Sequence, residues 1–199
     1  MGRKTDENYE AWVDWVAEHD WNVFGTLNFA PNHKLAGDDT KRLWRRYWNK
    51  ADKLLFGSQG STCGYRIDRA VFTQYGSLGD NVHIHFLARS PIDPKQFCIG
   101  MNGLWRTMTD CAAHPKNNEI LPIFNRREAS EYALHEFWLS GSETFNHTLS
   151  HLNHKHTTAH EQAHDRLNQA SHGIWLTRAR LAYDDHMAAA QARYEQRHG

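Results

Sequence analysis

Several features that mark common protein classes are scarce in this chain of 199 residues. It has no net charge, because 23 Lys and Arg residues balance 23 Asp and Glu residues. That balance excludes a protein that binds nucleic acid through a general positive field, so any such contact must come from a local patch. The three cysteines form no CxxC pair, which excludes a disulfide framework and a cysteine zinc site. We therefore expect a reducing, cytoplasmic setting.

Long apolar runs and nucleotide-binding loops are also missing. The chain contains no run of 18 apolar residues and begins with no apolar signal core, so we expect it neither to span a membrane nor to be exported. It has no GxxxxGK[ST] loop, which excludes a fused P-loop helicase domain. Histidine and tryptophan, in contrast, are abundant, with 15 and 8 residues. The histidines need a chemical explanation.

The hydrophobic patterns predict an α+β domain with a C-terminal extension. Apolar spacing predicts helices over residues 6–19, 38–57, 91–108 and 128–141. Composition predicts strands over residues 21–30, 64–76, 81–89 and 118–124, the last at an edge because of Pro122. From the first strand onward, this order is that of a ferredoxin-like antiparallel sheet with flanking helices. We expect this fold in residues 1–141 and a histidine-rich, mainly helical extension in residues 142–199.

Two histidines, His83 and His85, lie one residue apart in the predicted strand 81–89. Alternate residues of a strand share a face, so both imidazoles should point the same way. They form a chelating pair if a third ligand faces them, and Gln74 on the preceding strand is the candidate if the hairpin pairs it with His83. Such a mixed oxygen and nitrogen site favours Mg²⁺ or Mn²⁺ and admits Zn²⁺ or another transition metal. The alternative is that both histidines merely fill a polar, solvent-facing strand.

Three separated segments resemble, in the same order, the motifs of the HUH endonucleases, especially the rolling-circle replication initiators (Rep-like proteins) of plasmids and phages. FGTLNF (24–29) is similar to the first-strand motif, VFTQYGSLGDNVHIHFLA (71–88) to the metal-binding hairpin, and EYALHEFW (131–138) to the tyrosine helix. The resemblance covers about residues 21–140. It implies the ferredoxin-like fold, a divalent metal on His83, His85 and Gln74, and single-stranded DNA or a hairpin origin as the substrate.

The same resemblance implies that Tyr132 is the nucleophile, which cuts a single DNA strand and becomes linked to the 5′ phosphate. A phenol is almost wholly protonated at neutral pH, so its attack needs the metal-bound phosphate or a nearby cation. Relatives usually carry lysine three residues later on the same helical face, where this chain has His135. A histidine can also donate to a phosphate or a leaving oxygen, although its charge depends on pH. We therefore expect His135 to be an auxiliary catalytic residue.

Arginines are the candidates for contacts with the DNA backbone, namely Arg42, Arg45, Arg46, Arg126 and Arg127. The first three lie on the basic side of the predicted helix 38–57, a pattern that is equally typical of a solvated helix face. The last two come just before the predicted tyrosine helix. They are placed to reach the DNA backbone if Tyr132 is catalytic.

Histidines of the C-terminal extension recur at four-residue intervals in two sets, His147 and His151, and then His156, His160 and His164. Each set would line one stripe of a helix and could bind a transition metal. No cysteine or acidic partner recurs with them, which favours a polar helix face whose histidines partly hydrogen-bond within the fold.

The resulting hypothesis is an enzyme that nicks and joins single-stranded DNA through a 5′-phosphotyrosine link and initiates rolling-circle replication of a plasmid or phage. Unwinding would fall to a host helicase or a separately encoded one. Two alternatives stay open. One is a single-tyrosine transposase or a relaxase of the same fold, and the other is a DNA-binding or metal-binding relative that has lost catalysis.

Overall fold

The computed structural model describes residues 7–30, 37–76, 81–152 and 158–198. Its helices are α1 (Glu7–Ala17), α2 (Gly37–Thr62), α3 (Pro94–Met108), α4 (Arg126–Ala133), α5 (Phe137–Ser140), α6 (Ala163–Ala170) and α7 (Ile174–His198). Its strands are β1 (Val23–Leu27), β2 (Arg69–Gln74), β3 (His83–Ala88) and β4 (Ile120–Pro122). No helix within the described ranges is both long and apolar enough to cross a membrane.

The four strands form one open antiparallel sheet in the order β2-β3-β1-β4. The predicted α+β class and the predicted order of strands and helices are confirmed. Strand β4 lies at an edge, as Pro122 predicts, because proline lacks the N–H that an inner strand would donate. The loop that joins β2 to β3 at residues 77–80 lies outside the described residues.

The two faces of the sheet are covered by different helices. The α2 face, with Val71, Ile84 and Phe86, packs against α2 and α3 around a set of buried tryptophans. The α4 face, with Phe72 and Leu87, packs against α1, α4 and α5. Because side chains alternate along each strand, consecutive residues of a strand lie on opposite faces of the sheet.

Two glycines are needed on the α2 side, one for close packing and one for its backbone conformation. A Cβ at Gly25 would lie 2.2 Å from the ring of Phe86, so only glycine lets that ring cross β1 and reach Trp48. Gly57 has a φ of 74°, which breaks helical geometry where the sequence predicts a helix end. The chain resumes a helical path after this kink and continues to Thr62.

The predicted single helix 128–141 is wrong in one respect, because the chain forms two helices, α4 and α5, with a turn between them. In this turn the Phe137 N–H donates to the carbonyl oxygen of Leu134, at 2.8 Å. A continuous helix would direct that N–H to Ala133 instead. His135 and Glu136 consequently lie in the turn and not on a helical face.

The C-terminal region packs into the core of the preceding residues. Phe145 and His151 form bridges with β2, so this stretch runs along the outer edge of the sheet and is not helical. Helices α6 and α7 confirm the expected helical character further on, and they pack on α3. Leu149 and Leu167 belong to the same buried cluster as Trp48. Residues 142–198, where described, are thus built onto the domain that carries the sheet.

Candidate metal and nucleophile site

Strands β2 and β3 bring the predicted metal ligands together on the α4 face. Gln74 pairs directly with His83, as predicted, and Thr26 of β1 lies opposite His85. Side chains that face each other across antiparallel strands have Cβ atoms only about 4.5–5.5 Å apart. The ring centroids of His83 and His85 are 4.9 Å apart. One patch of the sheet therefore holds two imidazoles, an amide and a hydroxyl.

The two ring nitrogens of His85 have different surroundings. Nδ1 lies 2.8 Å from the Thr26 hydroxyl, whereas Nε2 is buried and has no hydrogen-bond partner. Burial holds the pKa of His85 well below its ordinary value, and the neighbouring His83 and His135 lower that pKa further. The ring is therefore neutral near pH 7. When Thr26 accepts the Nδ1 proton, a lone pair remains on the buried Nε2.

His83 has a similar arrangement. Its Nδ1 lies 2.7 Å from the carbonyl oxygen of Asn81. A carbonyl can only accept, so Nδ1 carries the hydrogen and the lone pair of the neutral ring is on Nε2. Burial lowers the pKa of His83, while the Asn81 bond and Glu136 act in the opposite direction. Metal-binding histidines are typically oriented in this way by a carbonyl or another acceptor on the second nitrogen.

Gln74 is fully buried and connects the hairpin to the tyrosine helix. Its Nε2 donates to the carbonyl oxygen of Ala133, the last residue of α4, at 2.8 Å. Because that acceptor fixes the orientation of the amide, Oε1 is the atom that is left without a partner. The bond also satisfies a carbonyl that the end of α4 would otherwise leave open. Gln74 therefore holds α4 on the sheet and offers an oxygen to a ligand.

Tyr132 and His135 lie over these residues. The ring of Tyr132 is centred 5.2 Å from that of His85 and 5.5 Å from that of Phe24, and the residue is 56% exposed. The ring of His135 is 5.3 Å from the rings of both His85 and Tyr132. Its Nδ1 lies 2.8 Å from the Tyr132 carbonyl oxygen, so in the neutral ring Nε2 carries the lone pair. The five predicted metal and catalytic residues are thus gathered in one place.

Glu136 belongs to the same site, and the sequence reasoning misses it. Its carboxylate accepts the backbone N–H groups of Tyr75 and Gly76, at 2.9 and 3.0 Å, directly after β2. One of its oxygens lies 3.9 Å from Nε2 of His135. Glu136 therefore fastens the chain beyond Gln74 to the turn that carries His135. The sequence signal that could have identified Glu136 is an acidic residue inside the motif EYALHEFW. For Thr26 the signal is its position two residues after Phe24 in the motif FGTLNF.

Unsatisfied acceptor atoms make this patch suited to a divalent metal ion. Buried polar atoms are normally hydrogen-bonded, yet Gln74 Oε1 and His85 Nε2 are not. With Nε2 of His83 they form a donor set of one oxygen and two nitrogens, which suits Mn²⁺, Zn²⁺ and related ions. Within the described residues, no three side chains of His, Cys, Asp or Glu are placed to hold a metal ion. A metal held by His83 and His85 would therefore take its third side-chain ligand from the Gln74 amide.

The two arginines before Tyr132 are engaged in ion pairs. Arg126 lies 2.7 Å from Asp20, and Arg127 contacts the carboxylates of Glu10, Asp14 and Glu131. Arg127 consequently fastens α4 to α1, with three acidic groups around one guanidinium. A DNA phosphate would have to replace these carboxylates to bind there.

The three arginines of α2 separate onto different surfaces. Arg42 pairs with Asp39 in the first turn of the helix. Arg45 lines a groove with Lys41, Tyr75 and His147, whereas Arg46 lines a different depression. The lining of the Arg45 groove also includes Thr73, the residue before Gln74, and Trp44 of α2.

The histidine stripes predicted in the C-terminal region are not formed as helical stripes. His147 and His151 lie in the non-helical stretch along β2, and His160 precedes α6. His156 lies outside the described residues. His164, at the start of α6, contacts the side-chain oxygen of Gln96 at 2.7 Å. This contact confirms the expectation that some of these histidines hydrogen-bond within the fold.

Comparison with known proteins adds no relative to this picture, because no family model, no curated protein and no solved structure matches the chain. The geometry and chemistry of the site are therefore the basis for a functional proposal.

Proposed function

We propose that this protein is a metal-dependent enzyme of the HUH type that nicks and joins single-stranded DNA, with Tyr132 as the nucleophile. One observation carries the proposal: an exposed phenol ring lies 5.2 Å from the ring of His85, whose Nε2 is buried without a partner. A nucleophile that substrate can reach is thus beside a ligand set that the protein leaves unsatisfied. The order of elements and the strand order β2-β3-β1-β4 are compatible with the ferredoxin-like fold that this family would have, and they support the proposal.

His83, His85 and Gln74 would hold the metal, which we expect to be Mg²⁺ or Mn²⁺, with Zn²⁺ or another transition metal as a substitute. A divalent ion bound there would polarise the scissile phosphate and offset its negative charge. All three ligands are neutral, so most of the positive charge of the metal ion would be available to the phosphate. For the same reason, the affinity of the site for the metal should be modest. Thr26 and Asn81 would keep each imidazole in the tautomer that binds metal.

The reaction exchanges one phosphate ester for another. The Tyr132 oxygen forms a bond to the scissile phosphorus, and the bond from phosphorus to the 3′ oxygen breaks. The products are a 5′-phosphotyrosine and a free 3′ hydroxyl. In this proposal Nε2 of His135 would take the phenolic proton, Glu136, 3.9 Å away, would stabilise the resulting cation, and the departing 3′ oxygen would receive the proton in turn. Joining is the same step in reverse.

We place this activity at the start of rolling-circle replication of a plasmid or phage, with a hairpin or single-stranded origin as the substrate and a separate helicase as the partner. A transposase or relaxase would use the same chemistry on transposon ends or on a transfer origin. A DNA-binding or metal-binding protein without catalysis is the second candidate. It is favoured by His135 standing where an initiator usually has lysine.

The test is the formation of a covalent adduct. The protein is incubated with Mn²⁺ and labelled single-stranded oligonucleotides, some of which contain hairpins, and adducts are separated on a denaturing gel. We expect an adduct with the wild type and at least a hundredfold loss with Tyr132→Phe, because the attacking oxygen is removed. Tyr75→Phe is the matched control, since Tyr75 is also exposed and directly follows Gln74.

The outcomes separate the candidates. An equal amount of adduct with Tyr132→Phe would overturn the nucleophile assignment. No adduct with any DNA, together with retained DNA binding, would favour the non-catalytic candidate. An adduct only with transposon ends or transfer origins would move the protein to the transposase or relaxase class.

A further inference from the structure

A groove leads from Tyr132 towards the end of α7. It is lined by residues of β1, β4, α4 and α7, among them Phe24, Leu121, Phe124, Tyr132, Arg193 and Arg197. Tyr132 therefore borders the histidines on one side and this groove on the other. A DNA strand with its scissile phosphate at Tyr132 must place neighbouring nucleotides in the groove or beside it.

An aromatic pair lies at the groove, with one ring lining it and the other stacked on the first. Phe124, which lines it, is 47% exposed, and Tyr194 of α7, which stacks on Phe124, is 39% exposed. Their ring centroids are 6.1 Å apart and their planes differ by 29°. Clustered exposed apolar surface commonly marks a binding site in a soluble protein. Aromatic faces of this kind are what single-strand-binding proteins offer to unpaired bases.

Two cations from α7 stand at the same groove. Arg193 lies 2.8 Å from Glu119, and Arg197 lies 3.5 Å from Glu128. The side chains of both arginines are more than half exposed, and ion pairs at exposed positions contribute little to stability. Phosphate oxygens of a bound strand can therefore take the place of these carboxylates. Stacking would dominate binding, with a limited contribution from charge.

We propose that this groove binds unpaired bases of the strand that Tyr132 attacks, with Phe124 and Tyr194 as the stacking platform and Arg193 and Arg197 at the backbone. The inference rests on the proposed function, since Tyr132 links the groove to the chemistry. It commits to single-stranded DNA because the faces of paired bases are covered by their neighbours in a duplex. Helix α7 thereby becomes part of the substrate site.

Binding in the absence of metal tests the groove separately from catalysis. Fluorescence anisotropy is measured with a labelled single-stranded oligonucleotide in EDTA. We expect Phe124→Ala and Tyr194→Ala each to weaken binding by roughly fivefold to a hundredfold, as loss of one stacking partner does. Phe124→Trp should retain the affinity of the wild type. Leu181→Ala, which removes a similarly exposed apolar side chain of α7 outside the groove, should change it less than about twofold.

Thermal unfolding of each variant verifies that the fold is retained. Wild-type affinity in both alanine variants, or equally tight binding of a duplex of the same sequence, would overturn the inference. If the wild type forms an adduct at Tyr132 but Phe124→Ala binds DNA as tightly as the wild type, the groove proposal is wrong and the proposed catalysis stands. Weaker binding by Phe124→Ala without any adduct would disprove the proposed catalysis and leave the groove as a single-strand site.

Discussion

Each face of the sheet buries a polar cluster, and the two clusters differ in how completely their hydrogen bonds are made. On the α2 face, Arg69 Nη1 lies 3.0 Å from Asp52 Oδ1, and Arg69 Nε donates to the carbonyl oxygen of Leu149, at 2.8 Å. The guanidinium also lies 4.6 Å from the ring centroid of Trp48. On the α4 face, Gln74 Oε1 and His85 Nε2 have no partner.

The difference separates a structural cluster from a candidate binding site. Asp52 also accepts the Ile67 N–H, at 2.8 Å, so both its charge and its lone pairs are used inside the protein. Burial lowers the pKa of Arg69 and the carboxylate of Asp52 opposes that shift. Trp44 Nε1 is another buried atom without a partner, but it is a donor and cannot bind a cation. The two unsatisfied acceptors on paired strands, in contrast, are atoms of the kind that bind a metal ion.

The largest effect should come from breaking the satisfied cluster. Asp52→Asn removes the carboxylate that pairs with the buried Arg69, so the free energy of unfolding should fall by about 3–5 kcal/mol. Urea denaturation measures this loss. Asp110→Asn removes an exposed carboxylate 3.9 Å from Arg106 and should cost less than about 0.5 kcal/mol. Equal losses in the two variants would contradict the structural role of Asp52.

A substitution in the polar cluster of the α4 face should change stability little and metal binding strongly. His85→Leu fills a similar volume and removes the unsatisfied nitrogen, so the metal-free protein should change in stability by less than about 1.5 kcal/mol. Affinity for Mn²⁺ or Zn²⁺, measured by titration calorimetry, should drop by roughly a hundredfold or more because a ligand is lost. His172→Leu, at an exposed histidine, is the control. Unchanged metal affinity in His85→Leu would remove the metal site from the proposal.

A smaller effect is expected from the hydroxyl that orients His85. Thr26→Val keeps the shape of the side chain but removes the partner of Nδ1. Metal affinity should fall about tenfold to a hundredfold, as for other residues that support a ligand. Thr62→Val, at an exposed threonine near the end of α2, should leave it unchanged. The same calorimetric titration detects either result, and no change at Thr26 would show that His85 needs no such support.

The smallest effect is a dependence of stability on pH in the metal-free protein. The folded-state pKa of His85 lies well below 6.5, so below about pH 6.5 the unfolded chain binds a proton that the folded protein does not. The unfolding free energy should therefore decrease as the pH falls from 7.5 to 5.5, by at most about 1.4 kcal/mol per pH unit for this group. Urea titrations in EDTA should give a shallower slope for His85→Leu. Identical slopes would contradict the buried, neutral His85.

Much of the site follows from local sequence. Alternation places His83 and His85 on one face, and a hairpin of adjacent strands brings Gln74 opposite His83. The break between α4 and α5 does not follow, because it involves the Gln74 side chain, 59 positions away, at the Ala133 carbonyl. Glu136 is missed for the same reason, since its partners are backbone N–H groups about 60 residues earlier.

The arginines show the same limit. A basic pattern on α2 is visible in the sequence, but only packing shows that Arg45 and Arg46 line two different depressions. The partners of Arg127, Glu10 and Asp14, are brought to it by the packing of α1 on α4. The charged residues of a helix can be counted from the sequence. Which of them form ion pairs depends on acidic or basic residues that are distant in the chain.

The sequence by itself determined the α+β class, the strand order along the chain and the shared face of the two histidines, because these depend on period-two alternation, turns and short loops. The tertiary structure alone decided which acceptors remain unsatisfied, that Tyr132 lies beside His85, and that α7 joins the groove next to it. These features arise from contacts between segments far apart in the chain. Such contacts depend on the packing of the whole domain, which no local pattern specifies.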